Sequence, residues 1–113
     1  MELRDKTSVE RKGEPILTGC MLYFPDALAA IARVSVAGNR KHNPGEPLHW
    51  ARGKSTDQGD ALVRHTLTPD NVDVETGEIE AAQRAWRDLA DLQIREEKRL
   101  IALGIKPYSG VTE

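Results

Sequence analysis

The chain has 113 residues, of which 39% are hydrophobic, 4% aromatic and 30% charged, and its formal net charge is −2. This length predicts one domain with a small core, and a domain this small and this charged often completes its core by self-association. Proteins that coat nucleic acid usually carry a marked basic excess, so we expect no direct nucleic-acid binding. We expect a homodimer or homotetramer.

Cysteine usage and the first residues indicate the compartment. Cys20 is the only cysteine, which excludes an intrachain disulfide and is compatible with a reducing environment. Because no local histidine or helix start activates it, Cys20 is expected to pack rather than to react. Residues 1–14 are polar and contain no apolar run of signal-peptide or membrane length. These features predict a cytoplasmic protein without a membrane partner.

The predicted elements begin after residues 1–14, a charged and aperiodic stretch that is expected to be a flexible arm. Residues 15–19 are apolar and are expected to be extended. The first helix is predicted to begin at Pro25, which suits a first turn, and to end at Gly38 and Asn39. Between these ends the apolar residues recur at helical spacing, at Ala27, Leu28, Ala30, Ile31, Val34 and Ala37.

A loop and a second helix are predicted next. Residues 43–47 contain two prolines and a glycine and cannot continue a helix. Ser55 or Thr56 is a suitable N-cap for a second helix, which runs to about Leu67 and is ended by Pro69. Residues 70–77 then predict an acidic turn.

The third predicted helix runs from about Glu78 to about Leu103, has a broad apolar face and is stopped by Gly104. That face is made of Ile79, Ala82, Ala85, Trp86, Leu89, Leu92 and Ile94, and is continued by Leu100, Ile101 and Leu103. Such a face indicates antiparallel helix packing, including against another subunit. The predicted class is all-α: a small bundle of three main helices with a long Pro/Gly-rich loop between the first two, completed by oligomerisation. Residues 15–104 are expected to form the domain and residues 105–113 a tail.

The stretch from residue 38 to residue 68 concentrates side chains that bind anions or stack on flat rings. These are Arg40, Lys41, His42, His49, Trp50, Arg52 and Lys54. Together they predict a site for a phosphorylated, ring-bearing ligand. Trp50 either stacks on a base or plugs the core beneath the loop. The basic residues Lys41, Arg52 and Lys54 either neutralise phosphates or are simply solvated.

Carboxylates in the same part of the chain predict a metal. Asp57 and Asp60 lie three residues apart on one face of the second helix, and Mg²⁺ takes carboxylate oxygens together with water and phosphate oxygens. Alternatively, Asp57 only starts the helix and Asp60 pairs with Arg64. On the third helix, Glu80 is expected to complete the site. His65 is either a proton carrier or a structural hydrogen-bonding residue.

Four runs resemble a known family, although the chain has no Walker loop, HExxH or paired CxxC motif. They are YFPDAL at 23–28, GN at 38–39 with KHNPG at 41–45, LHWARGKS at 48–55 and RH at 64–65. The family they resemble is the phage-associated dATP/dGTP diphosphohydrolase, N-terminal domain, which is related to the MazG-like all-α nucleotide pyrophosphohydrolases. The turn DVETG at 73–77 and AWR at 85–87 are also similar to it. The resemblance covers roughly residues 15–94.

The resemblance implies an all-α oligomer that hydrolyses a purine deoxynucleoside triphosphate between the α and β phosphates, with Mg²⁺ or Mn²⁺. Such an enzyme would be phage-encoded and would act on the nucleotide pool of the host cytoplasm. Asp57, Asp60 and Glu80 would hold the metal, and Asp60, Glu80 and His65 would be the catalytic residues. The substrate would be bound by Lys41, His49, Trp50, Arg52, Lys54 and Arg64.

Two departures from the family pattern are visible. The MazG-like hallmark, Glu-x-x-Glu on one helix followed by Glu-x-x-Asp on a later helix, does not occur here. Glu80 also stands where a histidine is expected in the family. A rival hypothesis is therefore a non-catalytic protein that sequesters a nucleotide. A third is a small helical interaction module whose loop is only structural.

Overall fold

The protein is all-α over the residues that its structure describes. A computed structural model describes residues 8–52, 63 and 66–113. Its helices are Ser8–Lys12 (α1), Pro25–His42 (α2) and Glu80–Ala102 (α3), with a π-helical turn at Leu17–Met21. No strand occurs in this described part of the chain, and one isolated antiparallel bridge joins Val72 to Ile79. The predicted all-α character is therefore confirmed, whereas the long Pro/Gly-rich loop and completion by oligomerisation stay predictions.

The chain divides into two compact units. The central unit is Phe24–Arg87, and the terminal unit combines Met1–Tyr23 with Asp88–Glu113. Helix α3 is continuous, and it contributes residues 80–87 to the central unit and residues 88–102 to the terminal unit. The single domain over residues 15–104 stays a prediction, as does the packing of the helices into one bundle.

Helix α2 continues four residues beyond its predicted end. Gly38 lies inside the helix, which ends at His42, so the predicted stop at Gly38 is wrong. An interior glycine costs only about 1 kcal/mol relative to alanine, which is too little to end a helix by itself. The helix is instead capped by Asn43, whose main-chain N–H donates to the Asn39 carbonyl and which is followed by Pro44.

The predicted acidic turn at residues 70–77 is confirmed. The Asp73 carboxylate accepts hydrogen bonds from the main-chain N–H groups of Glu75 and Thr76, at 2.7 and 3.2 Å. Gly77 has a φ of +74°, in the left-handed region that favours glycine, and its N–H donates to the Asp73 carbonyl. The turn is thus closed by its own side-chain and main-chain hydrogen bonds.

Helix α3 has nearly its predicted bounds. Its first two N–H groups, which lack partners inside the helix, donate to the carbonyl oxygens of Asn71 and Pro69 at 2.8 and 2.9 Å. After its last turn, Gly104 adopts the left-handed conformation that closes a helix, with a φ of +74°. The N–H of Ile105 then donates to the Leu100 carbonyl at 2.9 Å, which satisfies an otherwise orphaned oxygen.

Segments of the terminal unit that were predicted to be irregular are helical. Helix α1 lies within the predicted arm, and the predicted extended piece at residues 15–19 is wrong because the π-helical turn Leu17–Met21 covers most of it. Gly19 allows this turn: its N–H donates to the Pro15 carbonyl at 2.7 Å, and an added Cβ would lie 3.0 Å from the Pro15 ring. Cys20 is exposed, so the expectation that it packs is also wrong.

The predicted tail at residues 105–113 packs within the terminal unit. Pro107 is buried, and the Tyr108 hydroxyl donates to the Glu14 carboxylate at 2.9 Å. These two residues are 94 positions apart in the sequence. A side-chain hydrogen bond therefore joins the first and last segments of the terminal unit.

The hydrophobic core formed by the described residues is small. Its buried apolar side chains are Val34 and Ala82 in the central unit and Leu100 in the terminal unit. Small domains often need a partner subunit to bury enough apolar area, and oligomerisation of this chain stays a prediction. Among the described residues, no single helix has the length and hydropathy needed to cross a membrane. The segments Glu10–Met21 and Pro25–His42, which are joined by a sharp bend, meet these two criteria only when they are taken together. The cytoplasmic location likewise stays a prediction.

Candidate functional site

Two tryptophans form the centre of the candidate site. The rings of Trp50 and Trp86 meet edge to face, with centroids 6.3 Å apart and planes at 83°. Such a pair contributes roughly 0.5–1.5 kcal/mol beyond simple burial. Trp86 is itself held, because its indole N–H donates to the Ser35 hydroxyl oxygen at 2.7 Å, and that hydroxyl donates to the Ile31 carbonyl at 3.4 Å. Helices α2 and α3 therefore position the tryptophan of the loop.

Arg52 covers the ring of Trp50. Its guanidinium carbon lies 4.2 Å from the ring centroid, which is the geometry of a cation–π contact. Trp50 is half-buried and packs on Trp86. That the ring stacks on a base stays a prediction. The ring packs on Trp86 and at the same time presents a planar cation on one face.

The basic residues at 40–42 lie in the last turn of α2 and not in a loop. Positive side chains in a last turn are stabilised by the negative end of the helix dipole, so part of their charge serves the helix itself. Lys41 also pairs with Glu75, with 2.8 Å between Nζ and Oε2, and the two side chains are 58% and 62% exposed. These residues therefore lie at a helix end beside the acidic turn and not in the predicted loop. That they bind an anion stays a prediction.

A second ion pair ties the acidic turn to α2. The Arg33 guanidinium binds the Glu78 carboxylate through two nitrogens, and it lies eight residues before Lys41 on the helix. The hydrogen bond with Glu78 raises the pKa of Arg33 above its ordinary value, with nearby carboxylate charges adding to the effect. The two pairs together hold the acidic turn along two turns of α2.

An open groove lies beside the Lys41–Glu75 pair. Its volume is about 320 Å³, and it is lined by Ala37, Gly38, Arg40, Lys41, Glu75 and Thr76. Gly38 contributes no side chain, and nothing lies within 4 Å of the position that a Cβ would take there. Both signs of charge line the groove, so an anion that entered it would have to replace the Glu75 carboxylate at Lys41.

His49 is exposed and is oriented by a local contact. Its Nδ1 atom lies 2.9 Å from the Pro47 carbonyl oxygen. A carbonyl oxygen only accepts hydrogen bonds, so Nδ1 carries the hydrogen in this contact. When the ring is neutral, Nε2 is therefore the nitrogen with a lone pair for a ligand or a proton.

Glu80 is the predicted metal ligand that lies in the described part of the chain, and it is only 7% exposed. A carboxylate this buried needs hydrogen-bond donors or a cation, because an uncompensated buried charge is costly. Its chemistry therefore fits an oxygen ligand of Mg²⁺ or Mn²⁺ as well as a protein partner. Across residues 8–52, 63 and 66–113, no three His, Cys, Asp or Glu side chains come together in a way that could hold a metal.

The other predicted site residues lie outside the described residues. They are Lys54, Asp57, Asp60, Arg64 and His65. Two residues that the sequence did not single out for the site, Ser35 and Glu75, bind Trp86 and Lys41 respectively. Trp86 could have been singled out from the sequence because aromatic residues are rare in this chain and it is one of only two tryptophans.

Comparison with known proteins gives no relative of the chain. No family model, no curated protein and no solved structure matches it. The resemblance to the dATP/dGTP diphosphohydrolase family therefore rests on the quoted runs alone, and the observed fold, which is all-α, is of the class that this resemblance implies.

Proposed function

We propose that the protein binds a purine deoxynucleoside triphosphate and hydrolyses it between the α and β phosphates, with Mg²⁺ or Mn²⁺, to the nucleoside monophosphate and pyrophosphate. The family resemblance supplies the substrate class and the reaction. The observation that carries the binding half of the proposal is the pair of Trp50 and Arg52. It offers a ring supported by Trp86 together with a guanidinium 4.2 Å from the centroid of that ring.

The Trp50–Arg52 pair is suited to exchange with a nucleotide. A cation–π contact at an exposed site contributes about 0.5–1 kcal/mol, whereas stacking of a base on an aromatic ring contributes about 1–3 kcal/mol. Stacking of a purine on Trp50 is therefore expected to contribute more free energy than the cation–π contact that it replaces. The guanidinium of Arg52 carries a planar fork of donors, which is the geometry that binds a phosphate through two hydrogen bonds.

Lys41 is similarly available at small cost. Its partner Glu75 is as exposed as Lys41 itself, and an exposed ion pair contributes only about 0–1 kcal/mol. A triphosphate carries more charge than a single carboxylate and is the stronger partner for the ammonium group. Together with Lys54 and Arg64, these side chains would hold the phosphates while His49 and Trp50 shape the pocket for the base or sugar.

Asp57, Asp60 and Glu80 would hold the metal ion. When bound, Mg²⁺ or Mn²⁺ supplies neutralisation of phosphate charge and activation of the attacking water. Glu80 lies at the first position of α3, at the end of the helix where acidic side chains are commonly found. His65 would carry a proton, and the basic side chains would keep the phosphate chain aligned for in-line attack.

Pyrophosphate release is the direct test. The protein is incubated with each nucleoside and deoxynucleoside triphosphate and with Mg²⁺ or Mn²⁺, and release is expected with dATP or dGTP. If no purine triphosphate releases pyrophosphate while nucleotides still raise the melting temperature, the protein is a non-catalytic nucleotide-binding protein. A ligand at 100 times its Kd adds about 2.7 kcal/mol to the free energy of unfolding, so a melting temperature unchanged at such concentrations removes the binding proposal as well.

Substitutions separate binding from turnover. Asp60→Ala and Glu80→Gln are expected to abolish metal-dependent turnover and to leave nucleotide binding in place. Arg52→Gln is expected to weaken binding, whereas Arg95→Gln, the same change at an exposed arginine of the terminal unit, serves as its control. Wild-type turnover in folded Asp60→Ala would remove that residue from the site.

A further inference from the structure

One anion already occupies the groove at the end of α2, and it belongs to the protein itself. The Glu75 carboxylate lies beside the Lys41 ammonium group, with 2.8 Å between Oε2 and Nζ. Both residues line the groove together with Arg40, which has no carboxylate partner among the described residues. The groove therefore combines two cations with a single carboxylate, and its volume of about 320 Å³ leaves space for a larger anion.

The acidic turn does not depend on the contact between Glu75 and Lys41. It is closed internally by the Asp73 carboxylate, which accepts a hydrogen bond from the Glu75 main-chain N–H at 2.7 Å. Its far end is tied to α2 by the hydrogen bonds from Arg33 to Glu78. The Lys41 and Glu75 side chains are mostly exposed. An incoming anion can therefore displace the Glu75 side chain without moving the backbone that carries it.

The rest of the groove suits an anion. The Thr76 hydroxyl oxygen accepts hydrogen bonds from the Glu78 main-chain N–H, at 3.2 Å, and from the Gln83 side chain. Because a hydroxyl has one hydrogen to donate and two acceptor positions, its own hydrogen is left for a ligand oxygen. Gly38 leaves open space where a side chain would lie. Glu75 is thus the one acidic residue in the described lining of a groove that otherwise offers cations, a donor and room.

We propose that Glu75 is a specificity-determining residue, whose carboxylate competes for Lys41 and limits how tightly the groove binds a phosphate or pyrophosphate group. This inference rests on the binding half of the proposed function, because it assigns phosphates of the nucleotide to the groove. The carboxylate must leave Lys41 before a phosphate binds there, and an exposed ion pair resists this by no more than about fivefold. The carboxylate also repels a bound phosphate as a like charge, most strongly at low salt.

This competition acts most directly on the release of a product. Hydrolysis between the α and β phosphates leaves pyrophosphate, which keeps its contacts with Arg40 and Lys41 after the nucleoside monophosphate has gone. Return of the Glu75 carboxylate to Lys41 replaces one of these contacts from within the protein. Glu75 therefore lowers the affinity for pyrophosphate and speeds its release.

Inorganic pyrophosphate is the probe, because it tests the groove without a base or a sugar. Its Kd is measured by titration calorimetry at low salt. Glu75→Gln is expected to lower the Kd about 5- to 20-fold, since it removes both the competition and the repulsion. Lys41→Gln is expected to raise the Kd by a similar factor. Glu46→Gln is the control, the same change at an exposed glutamate outside the lining of the groove, and it should alter the Kd less than about twofold.

A double-mutant cycle separates competition at Lys41 from a general change of charge. Glu75→Gln is expected to lower the Kd much less in the Lys41→Gln background than in the wild type, because the contested ammonium group is already gone. Equal factors in the two backgrounds overturn the proposal. So does a Glu75→Gln protein that binds pyrophosphate like wild type, or the absence of binding to both.

A second variant tests the groove without changing any charge. Gly38→Leu places a side chain in the open space at this position, on a helix that leucine favours, and is expected to abolish pyrophosphate binding. The melting temperature of each variant shows that it is folded. Wild-type binding to folded Gly38→Leu places the anion outside the groove and overturns the proposal.

The Kd values and the turnover assay fail independently. A protein that hydrolyses no triphosphate but shows these Kd values loses the proposed reaction and keeps the role of Glu75. A protein that releases pyrophosphate from dATP, with a Kd that Glu75→Gln leaves unchanged, keeps the reaction and loses this role.

Discussion

The two halves of α3 are held in place in different ways. In residues 80–87, Glu80, Ala82 and Gln83 are buried, and Trp86 contacts side chains far away in the sequence. In residues 88–102, the ion pairs of Arg95 with Asp91 and of Arg99 with Glu96 lie within one turn of the helix. Leu100 is buried in this half, whereas Leu89 and Leu92 are 46% and 54% exposed. The first half is anchored by non-local contacts of the central unit, whereas the second half keeps much of its apolar face outward.

This difference shows that apolar residues at helical spacing do not reveal which surface will cover them. Both halves have apolar residues at helical spacing, and the sequence predicts one broad face along the whole helix. Periodicity indicates that a face will be buried but not whether the same chain or another one covers it. The following predictions test the contrast, from the largest expected effect to the smallest.

Trp86→Ala should have the largest effect on stability. The substitution removes the ring on which Trp50 packs and leaves the Ser35 hydroxyl without its indole donor, so the free energy of unfolding should fall by about 2–4 kcal/mol. Leu92→Ala in the second half is the control, and at concentrations where the chain is monomeric it should cost less than about 1 kcal/mol. Urea unfolding measures both, and equal losses would contradict the contrast between the two halves.

Glu97→Ala tests the main polar anchor of the second half. Glu97 is 3% exposed and accepts a hydrogen bond from the Gln93 side chain at 3.1 Å. Its removal takes the acceptor from the Gln93 amide and leaves space at a buried position, so the free energy of unfolding should fall by about 1–3 kcal/mol. The neighbouring Lys98→Ala, at an exposed position, should change it by no more than about 0.5 kcal/mol. A Glu97→Ala protein as stable as Lys98→Ala would show that this carboxylate anchors nothing.

Replacement by alanine should change the free energy of unfolding in opposite directions at two glycines. Gly104 closes α3 with a φ of +74°, so Gly104→Ala should destabilise the protein by about 1 kcal/mol. Gly38 lies inside α2 with open space around the position of a Cβ, so Gly38→Ala should stabilise it by about 0.5–1 kcal/mol. Thermal and urea unfolding measure both changes. A loss of stability on Gly38→Ala would mean that α2 does not run through this residue.

Arg95→Ala should have the smallest effect. The pair with Asp91 is spaced i,i+4, and its side chains are 62% and 74% exposed, so its loss should cost about 0.3–0.5 kcal/mol. The difference from wild type should shrink as salt is added, because exposed charges are screened. A loss that is larger and independent of salt would indicate packing of the arginine stem instead.

Much of the fold could be predicted from the sequence wherever a local signal was strong and nothing competed with it. Helix α3 has an uninterrupted apolar period and a glycine stop, and the acidic turn has an aspartate and a glycine at the required positions. Helix α2 was predicted too short because Gly38 was treated as a stop, although its cost of about 1 kcal/mol is small beside the hydrogen bonds of a continuing helix. The prolines that follow Asn43 were the stronger signal.

The candidate site was less accessible to prediction because it depends on non-local contacts. Lys41, His49, Trp50 and Arg52 were identified by residue type, and the structure adds what each of them touches. The contact of Trp50 with Trp86 joins residues 36 positions apart, and no local pattern encodes such a distance. The pairing of Lys41 with Glu75 depends in the same way on the acidic turn meeting the end of α2.

The hydrogen bond between Glu14 and Tyr108 has a consequence for the order of events during synthesis. The central unit is one continuous stretch, and its residues are complete while the ribosome is still adding the rest of α3. The terminal unit joins segments from both sides of that stretch, so it forms only after residue 108 has left the exit tunnel. Until then the hydrogen bond from Tyr108 to Glu14 cannot form, so the first segment of this unit waits for the last one.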